Sequence, residues 1–228
     1  MGENRNSGIW PAATEAASMV EPGMVVGLGT GRAAAMFLRA LAERVAGGLD
    51  VQGVPTSEKT AGLARGLSIP LVSLEEVEGI DLDVDGADEV SPALDLIKGH
   101  GGALLRERIV ASFSKRFVVL VEEEKLVPQL GVRVELPVEV VPFAVPVARR
   151  ELEKLARRVS LRLDGETPFR TDNGNAMLDL AFDGIALPAE LERTIDCLPG
   201  VVDNGLFVDM AHLVLVQTES GIQRLERR

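Results

Sequence analysis

The chain has 228 residues, of which 46% are hydrophobic and 4% aromatic, enough for one large domain, or a large and a small one, with a mainly aliphatic core. Its formal net charge of −11 argues against nucleic-acid binding and against attraction to a membrane surface. One cysteine excludes an internal disulfide framework, the polar residues 1–10 lack the apolar run of a signal peptide, and no segment is long and apolar enough for a membrane span, so we expect a soluble, cytoplasmic protein.

Short apolar runs alternate with segments of helical periodicity over the first 130 or so residues. Strands are predicted at residues 24–28, 51–54, 69–72, 82–84 and 117–121, and helices at 32–45, 57–67 and 103–113. Ser57 is a plausible N-cap of the second helix. This alternation is typical of βαβ units, so we expect a Rossmann-like α/β fold with a mostly parallel sheet.

The pattern changes near Gly131. Strands are predicted at 138–141, 169–171, 176–182, 201–208 and 213–216, and helices at 147–159 and 188–197. Asn173-Gly174 between two strand-like runs predicts a hairpin. We therefore predict a small α+β domain, residues 132–207, and a Rossmann-like catalytic domain, residues 1–131 plus 208–228, to which the last strand returns.

A glycine-rich turn, Gly27-Leu-Gly-Thr-Gly31, follows the first strand and opens a helix. Glycines let backbone amides approach an anion, and a helix N-terminus favours negative charge. The dinucleotide fingerprint also needs an acidic residue after the second strand, and Gly53-Val-Pro-Thr56 has none. The hydroxyls of Thr56 and Ser57 can add anion contacts, but a ligand-free turn and a simple N-cap remain alternatives.

Five acidic residues crowd into residues 81–89, and Asp85 and Asp88 lie where a predicted strand ends. Ligands of open α/β sheets bind at the carboxyl ends of strands. Two carboxylates at this spacing can bind Mg²⁺ or exchange protons with hydroxyl groups. An acidic turn in solvent is the alternative.

Lys98 and Glu107 flank a second glycine-rich loop, Gly99-His-Gly-Gly102. The carboxylate can take a proton while the ammonium group stabilises charge that develops on a nearby oxygen. Spacing alone leaves another possibility open, in which Glu107 is a solvated helix residue paired with Arg106 or Arg108.

The chain has only two histidines, His100 and His212, and they lack the spacing of metal ligands. We expect His212 to be structural and Cys197 to be a small buried apolar side chain.

Together these segments resemble the A-type ribose-5-phosphate isomerase family over nearly the whole chain. The shared motifs are Gly27-Leu-Gly-Thr-Gly31, Gly53-Val-Pro-Thr-Ser57, Asp85-Gly-Ala-Asp-Glu89, Leu96-Ile-Lys-Gly99, Gly102-Ala-Leu-Leu-Arg-Glu107, Lys125-Leu-Val127, Leu136-Pro-Val-Glu-Val140, Thr171-Asp-Asn-Gly-Asn175, Pro199-Gly-Val-Val202 and Asn204-Gly-Leu-Phe207. The resemblance implies interconversion of D-ribose 5-phosphate and D-ribulose 5-phosphate without metal or nucleotide cofactor. It also implies a homodimer or homotetramer in the cytoplasm.

The resemblance further implies roles for individual residues. Glu107 would move a proton between C1 and C2 of the sugar, and Asp85, Asp88 and Lys98 would be further catalytic residues that contact sugar oxygens. The implied substrate-binding residues are Thr30, Gly31, Arg32, Ala33, Asp85, Gly86, Ala87, Asp88, Lys98, Gly99, His100, Gly101 and Lys125.

Two positions depart from the family pattern. Arg32 and Ala33 stand where the family usually has hydroxyl side chains, and we hypothesise that the Arg32 guanidinium grips the substrate phosphate instead. An unchanged Michaelis constant in Arg32→Ala would contradict this. His100 interrupts a loop that is usually all glycine, which would strain the backbone if that position had positive φ.

Two other functions are compatible with parts of this pattern. A non-enzymatic sugar-phosphate sensor would normally carry a DNA-binding module, for which a first strand starting at residue 24 leaves no room. The second is an isomerase that acts on a hexose phosphate or an amino-sugar phosphate, and the unusual residues Arg32 and His100 leave this possibility open.

Overall fold

The computed structural model describes residues 10–227, so most of the N-terminal stretch for which no signal peptide is predicted, residues 1–9, lies outside it. The chain divides into two compact units. The first contains residues 10–86, 110–123 and 212–226, and the second contains 87–109, 124–211 and 227. The predicted domains, 1–131 plus 208–228 and 132–207, differ from this grouping chiefly in residues 87–109, and that division stays a prediction.

The described residues form fifteen strands and six α-helices. The strands are β1 (Val25–Leu28), β2 (Gln52–Pro55), β3 (Leu82–Gly86), β4 (Glu89–Val90), β5 (Leu96–Ile97), β6 (Phe117–Glu122), β7 (Leu136–Val140), β8 (Arg158–Leu161), β9 (Leu163–Asp164), β10 (Thr167–Pro168), β11 (Ala176–Ala181), β12 (Val201–Asn204), β13 (Leu206–Phe207), β14 (Leu213–Thr218) and β15 (Gly221–Glu226). The helices are α1 (Pro11–Ser18), α2 (Arg32–Ala46), α3 (Glu58–Gly66), α4 (Leu104–Ser112), α5 (Val145–Leu152) and α6 (Pro188–Asp196).

The first unit is built on a six-stranded sheet in the order β15-β14-β6-β3-β1-β2. Every pairing is parallel except that of β14 with β15, which confirms the predicted α/β fold. The core strands are buried and rich in valine and leucine, as parallel strands covered on both faces must be. Phe37, Leu38 and Leu41 of α2 pack into the core of this unit. All parallel strands therefore end at one edge, where β1 leads into the first glycine turn.

The second unit contains three smaller sheets. β12-β7-β11-β8 form an antiparallel sheet, β13-β5-β4 another, and β9 pairs with β10. The four-stranded sheet contributes Val138, Val140, Leu178 and Leu180 to an apolar cluster of this unit. The three-stranded sheet matters most for the chemistry, because Lys98 directly follows β5.

Several predicted elements are wrong. In each case a local backbone feature or pairing with a distant strand prevents the predicted element from forming. Residues 69–72 form only an isolated bridge at Leu71, since Pro70 has no N–H and Ser68 has positive φ. The predicted helix 147–159 ends at Leu152, and β8 pairs with β11 instead.

The predicted hairpin around Asn173-Gly174 lacks its first strand. Residues 169–171 lead into a tight turn closed by the Thr171 N–H, which donates to the Asn175 carbonyl, and β11 pairs with β7 and β8. The predicted strand 201–208 is interrupted at Gly205. Cys197 is exposed rather than buried, because it caps α6 on the solvent side.

Six further strands and helices were not predicted, namely α1, β15 and the two-residue strands β4, β5, β9 and β10. α1 is alanine-rich and lacks a polar–apolar rhythm, and β15 is a partly exposed edge strand. Within residues 10–227, no helix has the length and apolar character needed to cross a bilayer.

Candidate active site

Lys98 and Glu107 form a buried ion pair in the second unit. Lys98 follows β5, Glu107 lies in the first turn of α4, and Lys98 Nζ is 3.3 Å from Glu107 Oε2. Only 3% and 5% of the two side chains are exposed, so water screens the pair little. The alternative in which Glu107 is a solvated residue paired with Arg106 or Arg108 is therefore wrong.

Asp88 directly precedes β4, the strand that pairs with β5. β4 and β5 are antiparallel with Glu89 opposite Ile97, and Asp88 and Lys98 are the chain neighbours of that pair. The Asp88 N–H donates to the Ile97 carbonyl at 2.8 Å, and Asp88 Oδ2 accepts from the His100 N–H at 3.2 Å. The structure thus brings together Asp88, Lys98 and the loop after Lys98.

The loop from Gly99 to Gly102 turns at its two terminal glycines. Gly99 and Gly102 have φ of 107° and 78°, whereas His100 does not have positive φ, so the histidine causes no strain of that kind. His100 Nε2 lies 3.1 Å from the Glu135 carbonyl oxygen. Arg162 Nη1 donates to the carbonyls of Gly99 and His100, each at 3.0 Å. Hydrogen bonds therefore hold the first half of the loop, Gly99 and His100, in place.

A cluster of hydroxyl groups lies at the first glycine turn, in the first unit. Thr30 Oγ1 is 2.8 Å from both Thr56 Oγ1 and Ser57 Oγ, and 3.1 Å from Thr60 Oγ1. Ser57 caps α3 as predicted, accepting from the Thr60 N–H at 3.0 Å. Sequence analysis missed Thr60, although its place three residues after the N-cap was a usable signal.

Asp85 organises the backbone of the same turn. Its Oδ1 accepts the N–H groups of Thr30 at 2.9 Å and of Gly86 at 2.7 Å, and the side chain is fully buried. Gly31, with φ of 113°, is the N-cap of α2. Asp85 therefore has a structural role at this turn, and its predicted catalytic role stays a prediction.

Gly29→Ala should distort this turn, because a Cβ at Gly29 would overlap the Asp85 carboxylate. We expect a loss of about 1–3 kcal/mol in the free energy of unfolding, typical of overpacking. Gly62→Ala is the matched control, since nothing lies within 4 Å of a Cβ there and alanine favours the α3 interior. Urea denaturation of both variants checks this, and equal stabilities would contradict the role of Gly29.

Arg32 has partners in the first unit. Its Nη1 is 3.1 Å from Glu122 Oε2, and its Cζ is 5.2 Å from the Trp10 ring centroid. The Arg32 side chain is 57% exposed, so its ion pair with Glu122 contributes little to stability and can break. The hypothesis that Arg32 grips the substrate phosphate stays a prediction.

The remaining predicted residues are placed as follows. Ala33 is the second residue of α2 and lies near Gly86, where an added Cβ would be 3.4 Å from the Ala33 methyl carbon. Lys125 ends a 3₁₀ turn, Glu123–Lys125, and is partly exposed. His212 is structural, since its Nδ1 accepts from the Phe117 N–H at 3.1 Å. Among residues 10–227 no three His, Cys, Asp or Glu side chains cluster in a way that could hold a metal ion.

The chemistry of the second unit follows from its charges. A buried carboxylate next to a buried ammonium group can remove a carbon-bound proton next to a carbonyl, while the cation stabilises the oxyanion that forms. The dipolar amide groups and hydroxyls of the first glycine turn are suited to an anionic ligand.

Comparison with known proteins gives a consistent family. Residues 52–221 match the model of the family described as ribose 5-phosphate isomerase A (phosphoriboisomerase A). A ribose-5-phosphate isomerase A of Thermomicrobium roseum is 54% identical over 218 residues, covering 95% of this chain and 92% of that protein. The corresponding protein of Gloeobacter violaceus is 53% identical, with 94% of each covered.

Solved structures agree with these relatives. Ribose 5-phosphate isomerase A from Methanocaldococcus jannaschii superposes with a TM-score of 0.90 at 44% identity, over 95% of this chain and 96% of that one. A D-ribose-5-phosphate isomerase in complex with phospho-erythronic acid superposes with a TM-score of 0.92 at 42% identity, over the same shares of the two chains.

Proposed function

The chain belongs to the ribose 5-phosphate isomerase A family and isomerises ribose 5-phosphate, and from this premise we propose that Glu107 is the catalytic base and Lys98 its electrostatic partner. The observation that carries this proposal is the 3.3 Å contact between two buried, oppositely charged side chains. A buried charged pair costs solvation free energy and is weak evidence for stability, so a functional reason for its presence is favoured.

The proposed reaction moves one proton from C2 to C1 and one from O2 to O1, and it needs no outside oxidant. The Glu107 carboxylate removes the proton from C2 of the open-chain aldose while the carbonyl oxygen at C1 becomes the oxygen of an enediolate. The same carboxyl group returns the proton to C1, and the hydroxyl proton on O2 passes to O1, so that C2 becomes the ketone and C1 a primary alcohol. A positioned carboxylate contributes about 10²–10⁴-fold to such a step.

Lys98 stabilises the negative charge on the enediolate oxygens. A preorganised donor at a developing oxyanion is worth about 10²–10³-fold in turnover. Asp88 supports this arrangement, because its N–H donates to the carbonyl of Ile97, the residue before Lys98, and its carboxylate accepts the His100 N–H. We propose that Asp88 exchanges protons with sugar hydroxyls, including during ring opening.

The other predicted substrate contacts are part of the same proposal. Support for the first glycine turn comes from its place at the carboxyl end of β1, its clustered hydroxyls and its helix N-terminus. The proposed contacts outside Glu107 are Thr30, Gly31, Arg32, Ala33, Asp85, Gly86, Ala87, Asp88, Lys98, Gly99, His100, Gly101 and Lys125.

We propose a homodimer or homotetramer in the cytoplasm that does not bind nucleic acid. Phospho-erythronic acid is bound by a relative of this chain, and we propose that this chain binds it as well. Its carboxylate presents two anionic oxygens, much as an enediolate does, so Lys98 is suited to bind it more tightly than the neutral carbonyl of the substrate.

The test is a ketose-formation assay with purified protein and ribose 5-phosphate, before and after exhaustive EDTA treatment. We expect turnover that EDTA leaves unchanged, because Lys98 supplies the positive charge at the oxyanion. Arabinose 5-phosphate and glucosamine 6-phosphate are the substrate controls. Faster turnover of either control would favour the alternative isomerases, and a loss of activity restored by Mg²⁺ would indicate a metal site.

A further inference from the structure

The segment Asp203–Phe207 holds Lys98 through both its backbone and its side chain. The Lys98 N–H donates to the Gly205 carbonyl at 2.9 Å, and the preceding residues of β5 pair with β13. The Lys98 ammonium lies 5.4 Å from the centroid of the Phe207 ring, within range of a cation–π interaction. A Cβ at Gly205 would overlap the Lys98 carbonyl, so this close approach needs glycine.

Arg108, the residue after Glu107 in α4, grips the same segment. Its Nε lies 2.7 and 2.8 Å from the two Asp203 carboxylate oxygens, and its Nη2 donates to the carbonyls of Asn204 and Leu206 at 2.8 and 2.5 Å. Its guanidinium carbon is 4.4 Å from the Phe207 ring centroid. Lys98 and the residue that follows Glu107 thus both contact the same five-residue segment.

The charges around Arg108 strengthen this grip near neutral pH. Arg108 Nη1 also contacts Glu192 Oε1 at 3.0 Å. Burial raises the pKa of Asp203 to about 6, although the Arg108 charge lowers it, so Asp203 is mainly ionised at pH 7 and above. The planar guanidinium satisfies several acceptors at once, which a flexible side chain with fewer donors does less well.

Resting on the function proposed above, we infer that Arg108, seated on Asp203–Phe207, is a positioning residue that sets the Lys98–Glu107 geometry. Consecutive residues of an α-helix are about 100° apart around the helix axis. The contacts of Arg108 therefore fix the rotation of the helical turn that carries Glu107 and its distance from the segment Asp203–Phe207. A misplacement of about 1 Å at a reacting group can cost about 10²-fold in rate. Arg108 itself need not touch the substrate.

The neighbouring Arg106 provides a matched control. It flanks Glu107 on the other side, but it contacts a different segment, with its Nε 3.0 Å from Asn173 Oδ1. Arg106→Met removes the same charge from the same helical turn and leaves the contacts of Arg108 intact. We expect it to keep turnover within about threefold of wild type, because Asn173 and Asp172, which it contacts, lie outside Asp203–Phe207.

The experiment compares Arg108→Met, Arg108→Lys and Arg106→Met by kcat, KM for ribose 5-phosphate and the dissociation constant of phospho-erythronic acid. We expect Arg108→Met to lower kcat about 10- to 100-fold with KM within about threefold, since geometry rather than substrate contact is lost. Arg108→Lys should restore kcat to within about fivefold of wild type, because it keeps a cation near Asp203 and Phe207.

Two results would overturn the inference. One is an Arg108→Met variant that is folded and keeps kcat within about twofold of wild type, and the other is a rise in KM with unchanged kcat, which would make Arg108 a substrate contact. If Arg108→Met does not fold, Phe207→Leu decides, with an expected fall in kcat of about fivefold or more and overturning if kcat is unchanged. Wild-type inactivity in the same assay would instead refute the proposed function.

Discussion

Glu107→Gln is expected to lower kcat for ribose 5-phosphate by about 10²–10⁴ while the dissociation constant of phospho-erythronic acid changes by only a few-fold. The amide keeps the size and shape of the carboxyl group but cannot accept a proton from carbon, so the step that depends on the base is lost. Binding is preserved because Lys98 and the glycine loop stay in place. Steady-state kinetics together with calorimetric titration of phospho-erythronic acid measure the two effects separately.

The fold of this variant must be measured, because the substitution removes the anion next to Lys98, which is 2% exposed. Removing one partner of a buried ion pair is typically destabilising by about 3–5 kcal/mol. The assay temperature should therefore lie well below the unfolding midpoint.

Glu151→Gln is the matched control for the same chemical change. Glu151 also lies on a helix and pairs with a lysine, Lys154, at 2.6 Å, but its side chain is 42% exposed. We expect unchanged kcat and stability in this variant. Near-normal turnover in a folded Glu107→Gln protein would remove Glu107 from the role of the base.

The sequence predicted the parts of the molecule in which local signals and tertiary structure agree. The parallel strands are valine- and leucine-rich, and Ser57 caps α3 because its hydroxyl needs only the backbone three residues on. Residues 158–161 follow α5 with similar apolar spacing, but pairing with β11 makes them a strand, which no window of the sequence reveals.

The site shows the same contrast. Lys98 and Glu107 were found because only eight residues, including a glycine turn, separate them. The Arg108 contacts with Asp203 span 95 residues, and the pattern around Arg108 is that of an ordinary charged helix face. The burial of Glu107 could not be predicted from the sequence either. The apolar residues of α4 do not alternate with polar ones at helical spacing, so the helix pattern does not show which side chains are buried.

Lys98→Met should lower kcat by about 10²–10³, the usual effect of removing one donor that stabilises an oxyanion. Methionine fills a similar volume without the charge, so the loss reports electrostatics more than packing. KM should change less, because the substrate carbonyl carries less charge than the enediolate. The same kinetic measurements as for Glu107→Gln apply, and an unchanged kcat would refute the role of Lys98.

Stability separates this role from a structural one. Lys98→Met leaves the Glu107 carboxylate buried without its cation, so we expect a loss of about 3–5 kcal/mol in the free energy of unfolding. The double variant Lys98→Met/Glu107→Gln buries no unpaired charge and should recover part of that loss, by the logic of a double-mutant cycle. It should nevertheless have no more activity than either single variant. If the double variant recovers both stability and turnover, the ion pair serves the fold alone. If it recovers stability but not turnover, the two charges are needed for the chemistry.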